Sequence, residues 1–351
     1  MPGDPVPREV AFPSGPVRLA GSLTVPGVAG ADVFLRGATA ADAATADGTT
    51  AGLITAGASP AGCASAGVVM VGGSGPSDRH NDTYFPPIRR HLVDAGLAVL
   101  SYDKRGVGGS SGEWRDATLD DLAADAVAAL DFLRAQPGVR PEAVGLFGHS
   151  EGGWVVLRAA TTARDGPSWV ITNSCPGVTP AAQERHALSR ALRERRRARP
   201  DVDIDGSLAL FDRLVEVGRR DADFAEAARL VESAGRAAWL GDYWAGVDER
   251  LWEFLKRKQD HDPLSDTPRL RCPHLAVFGG ADPLVPVAES IHRFATAACG
   301  PGRHPRATLT TEVFPDADHR IHTAIGTRPA PGHLTGLTRW IGGHTVGRPL
   351  P

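Results

Sequence analysis

Short apolar runs recur along this chain, and stretches with helical spacing separate most of them. Gly67-Val68-Val69-Met70-Val71, Leu97-Ala98-Val99-Leu100-Ser101, Val144-Gly145-Leu146-Phe147 and His274-Leu275-Ala276-Val277-Phe278 show almost no polar alternation, as expected of strands buried on both faces. Ser168 to Asn173 reads as a further strand, and Thr308 to Phe314 alternates like another. Between them, Pro87 to Asp94, Leu119 to Leu133 and the segment from Trp154 to Ala160 have helical apolar character. This alternation predicts a mainly parallel sheet with active residues at the C-terminal ends of its strands. Ahead of it, Glu9 to Phe12 and Val17 to Val25 read as an antiparallel pair turning through Pro13-Ser14-Gly15-Pro16.

Two segments break the alternation. Residues 26–66 are dominated by Ala, Gly and Thr, with no period that defines an element, and are expected to form a long loop or partly ordered insertion. Residues 180–262 are mostly helical in pattern and divide the core into residues 1–179 and 263–351. The first helix of this insert, Gln183 to Arg199, carries seven arginines and only a narrow stripe of Leu188 and Leu192. A solvated basic face balanced by Asp201, Asp203 and Asp205 is its plain reading; an anchor for an acidic acyl carrier or coenzyme A is the sharper one. The aromatic residues further along, Phe211, Trp239, Tyr243, Trp244, Trp252 and Phe254 among them, are expected to pack the insert, with one or two placed over the active serine as an apolar acyl pocket.

The chemistry concentrates where one apolar run stops at Gly148-His149-Ser150-Glu151-Gly152 and continues as a helix. A serine hydroxyl acts as a nucleophile when a sharp strand-to-helix turn projects it clear of the backbone and aims helix amides at the reacting oxygen. Glycines on both sides are needed because side chains there clash across the turn. An acid and a base are expected downstream, in that order. Asp282 lies in the loop directly after the strand 274–280, and His319 in the loop after the strand 308–314. Asp316 and Asp318 share the histidine's loop and are expected to cap or solvate it; His322 and His333 are the weaker alternatives for the base. The oxyanion of a tetrahedral intermediate requires preorganised donors. The backbone amide of Glu151 is one candidate. The amide of Ser74, in the bare turn Gly72-Gly73-Ser74-Gly75-Pro76 after the strand 67–71, is the other, with the Ser74 hydroxyl a bystander.

With Gly73 to Arg79, Asp103-Lys104-Arg105-Gly106-Val107-Gly108-Gly109-Ser110, the elbow and the Asp282 and His319 loops, the chain resembles the α/β-hydrolase superfamily, in particular its bacterial esterases and lipase- or serine aminopeptidase-like members. The resemblance runs from about residue 9 to 342. It implies an α/β fold: a mainly parallel, twisted sheet of about eight strands flanked by helices, with the helical insert as a lid. One position departs from it. Relatives commonly have His-Gly before the oxyanion residue, whereas Gly72-Gly73 stands here, so the turn loses a side-chain anchor but keeps its amide donor. The motif Asp103 to Ser110 is expected to be architectural, with Arg105 pairing a carboxylate.

The resulting expectation is a serine hydrolase acting on a carboxylic ester or thioester through an acyl-enzyme on Ser150, without a cofactor and without a metal. The alternatives are an acyltransferase or cyclase with the same triad, an aminopeptidase-like amide hydrolase, and a catalytically silent binding protein. Net charge of −3 and a pI near 6.5 give no reason to expect nucleic acid as a partner. The expected partner is a small acyl substrate, free or bound to a carrier or coenzyme A. No run approaches the roughly 18 apolar residues of a membrane helix, and the start of the chain lacks a signal-peptide pattern, so a cytoplasmic location is expected. Cys63, Cys175, Cys272 and Cys299 are spread without metal or redox spacing and are expected to be thiols.

Overall fold

The computed structural model describes residues 7–26, 64–235, 241–323 and 328–345. Nearly all of the Ala/Gly/Thr-rich segment, with Cys63, and Trp239 and Leu240 of the insert therefore lie outside the described residues.

Two-residue periodicity builds the core. In β3 (Ser65–Val71), Val69 and Val71 face one apolar layer, while Val68 and Met70 face the other. The first layer is completed by α2 (Leu119–Arg134) and α3 (Glu151–Thr162), through Leu122, Ala126, Leu130, Leu133 and Trp154 to Leu157. The second is completed by α1 (Phe85–Asp94) and α9 (His333–Thr345), through Phe85, Ile88, Leu92, Leu337 and Ile341. Strands covered on both faces have no polar face, which is why the runs at 67–71, 98–102 and 274–279 read as continuous.

The strands β1 (Arg8–Ser14), β2 (Val17–Thr24), β3, β4 (Ala98–Tyr102), β5 (Val139–His149), β6 (Val170–Asn173), β7 (His274–Gly279) and β8 (Leu309–Phe314) form one sheet in the order β1-β2-β4-β3-β5-β6-β7-β8. β1 and β2 pair antiparallel, as do β2 and β4, and every later pair is parallel. From β3 the chain steps to β4 on one side and then to β5 on the other. That reversal opens a crevice at the C-terminal ends of β3 and β5, where the loops on neighbouring strands diverge.

Between β6 and β7 run α4 (Pro180–Ala198), α5 (Ile204–Arg219), α6 (Phe224–Ser233), α7 (Gly241–Trp244) and α8 (Glu249–Lys258). The cap of α4 lies earlier than its apolar stripe suggests, because the Thr179 hydroxyl accepts the Ala182 N–H and Pro180 occupies the first turn. Leu192, Ile204, Phe211, Leu214 and Trp252 give this segment a small core of its own. Among the described residues, no helix is long and apolar enough to cross a membrane. Cys175 and Cys272 are buried free thiols, and Cys299 is exposed.

Candidate active site

Ser150 sits between β5 and α3 with φ 54° and ψ −122°, a backbone conformation that L-residues adopt only under constraint from their surroundings. The constraint is visible on both sides. A Cβ on Gly148 would lie 2.1 Å from the Gly152 carbonyl oxygen, and one on Gly152 would lie 2.4 Å from that of Val71. Only glycines let the turn close this tightly, and the closed turn carries the serine to the crevice.

Asp282 and His319 arrive from the ends of β7 and β8, beyond β6 in the sheet. Asp282 follows β7 and is buried; its Oδ1 accepts the N–H groups of Leu284 and Val285 at 2.8 and 3.1 Å. Its Oδ2 lies 2.8 Å from His319 Nδ1, in the loop after β8. Ser150, His319, Gly73 and Ser74 line one cavity of about 490 Å³, together with Gln183, Glu184 and Ala187 of α4, and Leu284 and Arg320. Asp318 turns away from this pair. Its Oδ1 accepts the N–H groups of Arg320 and His322, capping the loop. His322 and His333 are not among the residues lining the cavity; both are buried, and burial pushes their pKa values down, His333 to about 4.

Helix α3 begins at Glu151, so its first N–H groups have no acceptor within the helix. The Ser74 N–H likewise has no backbone acceptor among the described residues. Both amides thus belong to residues beside Ser150 in chain or space, at a helix N-terminus whose dipole favours negative charge.

Three features of the site escape sequence reasoning. The first is a network around His149, the residue before Ser150. Asn81 Oδ1 accepts the Gly73 N–H at 3.2 Å and the Ser77 hydroxyl at 2.8 Å, which leaves its amide NH₂ to donate to His149 Nδ1 at 2.9 Å. His149 Nε2 then carries the proton and donates to the His319 carbonyl at 3.2 Å. Burial holds His149 neutral by lowering its pKa well below 6.5, and the nearby His319 acts in the same direction. One chain of hydrogen bonds therefore joins the Gly73 turn, the elbow and the histidine loop. Asn81, at φ 46°, carries no motif that marks it.

The second is a buried charge cluster. The Glu151 carboxylate is 2% exposed and is paired with Lys104 at 3.0 Å and with Lys258 of α8 at 2.6 Å. Burial alone raises a carboxyl pKa, but here the two ammonium groups override it and hold Glu151 well below the usual carboxylate range. Lys104 Nζ also donates to the Gly73 carbonyl at 2.6 Å. The turn that lacks a preceding histidine is thus held on both faces of Gly73, by Asn81 at the N–H and by Lys104 at the C=O. The rest of the Asp103 to Ser110 motif is architectural. Asp103 binds the Arg79 guanidinium and two backbone amides, and Arg105 makes a two-pronged contact with Asp125 at 2.8 Å.

The third is a correction. Among the described residues, no aromatic side chain of the insert lines the Ser150 cavity. Phe211, Tyr243, Trp244 and Trp252 instead converge on a separate apolar cavity of about 50 Å³ inside the insert. They are needed there because five short helices bury little without their own core. The residues of the insert that reach the cavity are the polar first turns of α4. The arginines further along α4 are mostly exposed, with Arg185 on Asp212 and Arg197 on Glu194.

A parallel sheet with a constrained serine at its switch point and an Asp-His pair at the next strand ends defines an α/β hydrolase. Residues 65–323 match the serine aminopeptidase, S33 family, and the chain belongs to it. A human serine hydrolase, BPHL, is 25% identical over 257 residues, covering 71% of this chain and 70% of that protein. The thiohydrolase aneE of Aspergillus aculeatus is 34% identical over 104 residues, 28% of this chain and 32% of its own. Among solved structures, the Pyrococcus furiosus esterase Pf2001 superposes with a TM-score of 0.54 at 17% identity, covering 97% and 94% of the two chains. A complex of DcsB with a substrate analogue does so at 0.58 and 13%, covering 97% and 100%. These two likenesses establish the fold.

Proposed function

We propose that this hydrolase cleaves a carboxylic ester or thioester through an acyl-enzyme on Ser150. The observation that carries the reading is the constrained serine sharing a cavity with a histidine whose Nδ1 is 2.8 Å from a buried carboxylate. His319 takes the Ser150 proton at Nε2 as the hydroxyl attacks the acyl carbon. Asp282 keeps the proton on Nδ1 and stabilises the cationic ring. The Ser74 and Glu151 amides receive the oxyanion, and the leaving group departs with the proton from His319. A water deprotonated by the same ring then attacks the acyl carbon and releases the acid.

The cavity favours small or polar acyl groups. Ala187, Pro283 and Leu284 are its apolar side chains, against the polar Asn81, Gln183, Glu184, Asp318 and Arg320. In this reading α4 roofs the site, so residues 180–262 act as a lid through its first turns rather than through their aromatics. The relative named as a thiohydrolase supports thioesters as substrates.

A second reading, an aminoacyl ester or amide, draws on Glu184. This carboxyl lines the cavity, and burial raises its pKa, with Lys258 opposing the shift and Glu151 adding to it; a substrate amine beside it would favour the charged carboxylate. A panel of acyl esters, acyl thioesters and aminoacyl amides, with acid-quench mass spectrometry for the acyl-enzyme, separates the readings. Covalent acylation of Ser150 by esters or thioesters is the expected result; turnover confined to aminoacyl amides would favour the second reading.

A further inference from the structure

We infer that Lys104 is a positioning residue for the oxyanion hole, holding in register the two chain segments that supply its amide donors. The inference rests on the acyl-enzyme reading above, because it assigns a task within that mechanism.

Lys104 Nζ lies over the Trp114 ring and makes two hydrogen bonds, each of which falls on one half of the hole. It donates to the Gly73 carbonyl at 2.6 Å and to Glu151 Oε1 at 3.0 Å. The Gly73 C=O and the Ser74 N–H belong to one planar peptide unit and point in opposite directions. Fixing the carbonyl oxygen on a buried ammonium therefore fixes the direction in which the Ser74 N–H points. An ammonium at the oxygen also draws electron density through the amide and strengthens the N–H as a donor. On the other side, Glu151 is the residue whose own N–H is the second donor, and its side chain anchors the first turn of α3 to the same ammonium.

Charge makes the arrangement hard to explain as packing alone. A 2%-exposed carboxylate beside a developing oxyanion opposes the reaction unless it is neutralised. Lys104 and Lys258 both pair with it and neutralise it. Burial lowers the Lys104 pKa, and the Glu151 carboxylate acts in the opposite direction by favouring the charged ammonium. Gly72 and Gly73 sharpen the need for such a clamp. A Cβ at Gly72 would lie 2.0 Å from Ser77 Oγ, so a side chain there would displace the hydroxyl that donates to Asn81.

The test measures Lys104→Met, with active sites counted by fluorophosphonate titration so that misfolded protein drops out of kcat. The expected result is a kcat per site lowered about 10- to 100-fold, the range below the loss of a whole oxyanion donor. Affinity for a boronic acid that mimics the tetrahedral anion falls in parallel, KM changes far less, and the pH dependence of kcat/KM keeps its midpoint, since His319 and Asp282 are untouched. Lys258→Met leaves the Gly73 contact in place and is expected to cost less than Lys104→Met. Should Lys104→Met fail to fold around a half-paired Glu151, the charge-balanced Lys104→Met/Glu151→Met variant removes the same tie and carries the same expectation. Variants that titrate fully and turn over within about threefold of wild type overturn the inference alone. Wild-type protein that neither takes the label nor cleaves any acyl substrate overturns the acyl-enzyme reading as well.

Discussion

Replacing Asp282 by asparagine is the most discriminating single change, because the structure dictates which way the new amide must face. Asp282 Oδ1 accepts two backbone N–H groups, from Leu284 and Val285, while Oδ2 faces His319 Nδ1. An asparagine satisfies the two N–H groups only with its carbonyl oxygen, so its NH₂ is forced toward His319. Nδ1 must then accept, the ring proton moves to Nε2, and the nitrogen facing Ser150 can no longer take a proton. A triad with the wrong tautomer loses about 10⁴-fold in kcat, or about 5 kcal/mol of transition-state stabilisation. Asp318→Asn is the matched control. Its oxygen keeps both capping N–H groups of the loop, so kcat is expected to stay within a few-fold of wild type. Initial rates on a saturating activated ester, with sites counted by titration, measure both. Asp282→Asn within tenfold of wild type, or a larger loss in Asp318→Asn, would refute the reasoning.

Further outcomes follow from the same geometry. Ser150→Gly should abolish turnover yet raise stability by up to about 1 kcal/mol, because glycine relieves the φ of 54°; urea unfolding checks this, and a destabilised variant contradicts it. Gly148→Ala should unfold the elbow or leave the protein insoluble, given 2.1 Å between its Cβ and the Gly152 carbonyl oxygen. Ala187→Phe, which fills the Ser150 cavity, should raise KM for longer acyl chains, whereas Trp252→Ala should cost about 3–5 kcal/mol of stability with little change in chain-length preference. Burial lowers His274 to about 3 and His333 to about 4, below the 6.5 of an exposed histidine. The unfolded chain therefore binds these protons first as pH falls below 6.5, so stability should drop between pH 6.5 and 5 by about 2 kcal/mol for each group; a flat urea midpoint across that window would count against their neutral burial.

The sheet was legible because burial on both faces leaves a simple mark: strands such as β3 and β7 carry unbroken apolar runs, and the loops after them hold Ser74 and Asp282 by position alone, while His319 follows the alternating β8. The elbow was legible for a related reason, since Gly148 answers a clash with Gly152 four residues on, although Gly152 itself answers one with the distant Val71. Lys104, Asn81 and Lys258 were not. Lys104 meets Glu151 from 47 residues away and Lys258 from 107, and no local spacing encodes a partner that only the folded crevice brings near. The insert shows the same limit. Phe211 and Trp252 announce burial, but apolarity does not say against what, and they pack one another instead of roofing Ser150.

Covalent labelling of Ser150 tests the central claim most directly. A fluorophosphonate added to the wild-type protein, followed by peptide mass spectrometry, should place one label per chain on Ser150, with the rate falling sharply in His319→Ala and no label in Ser150→Ala. Turnover of acyl substrates by a protein whose Ser150 stays unlabelled, or activity retained in Ser150→Ala, would contradict the account.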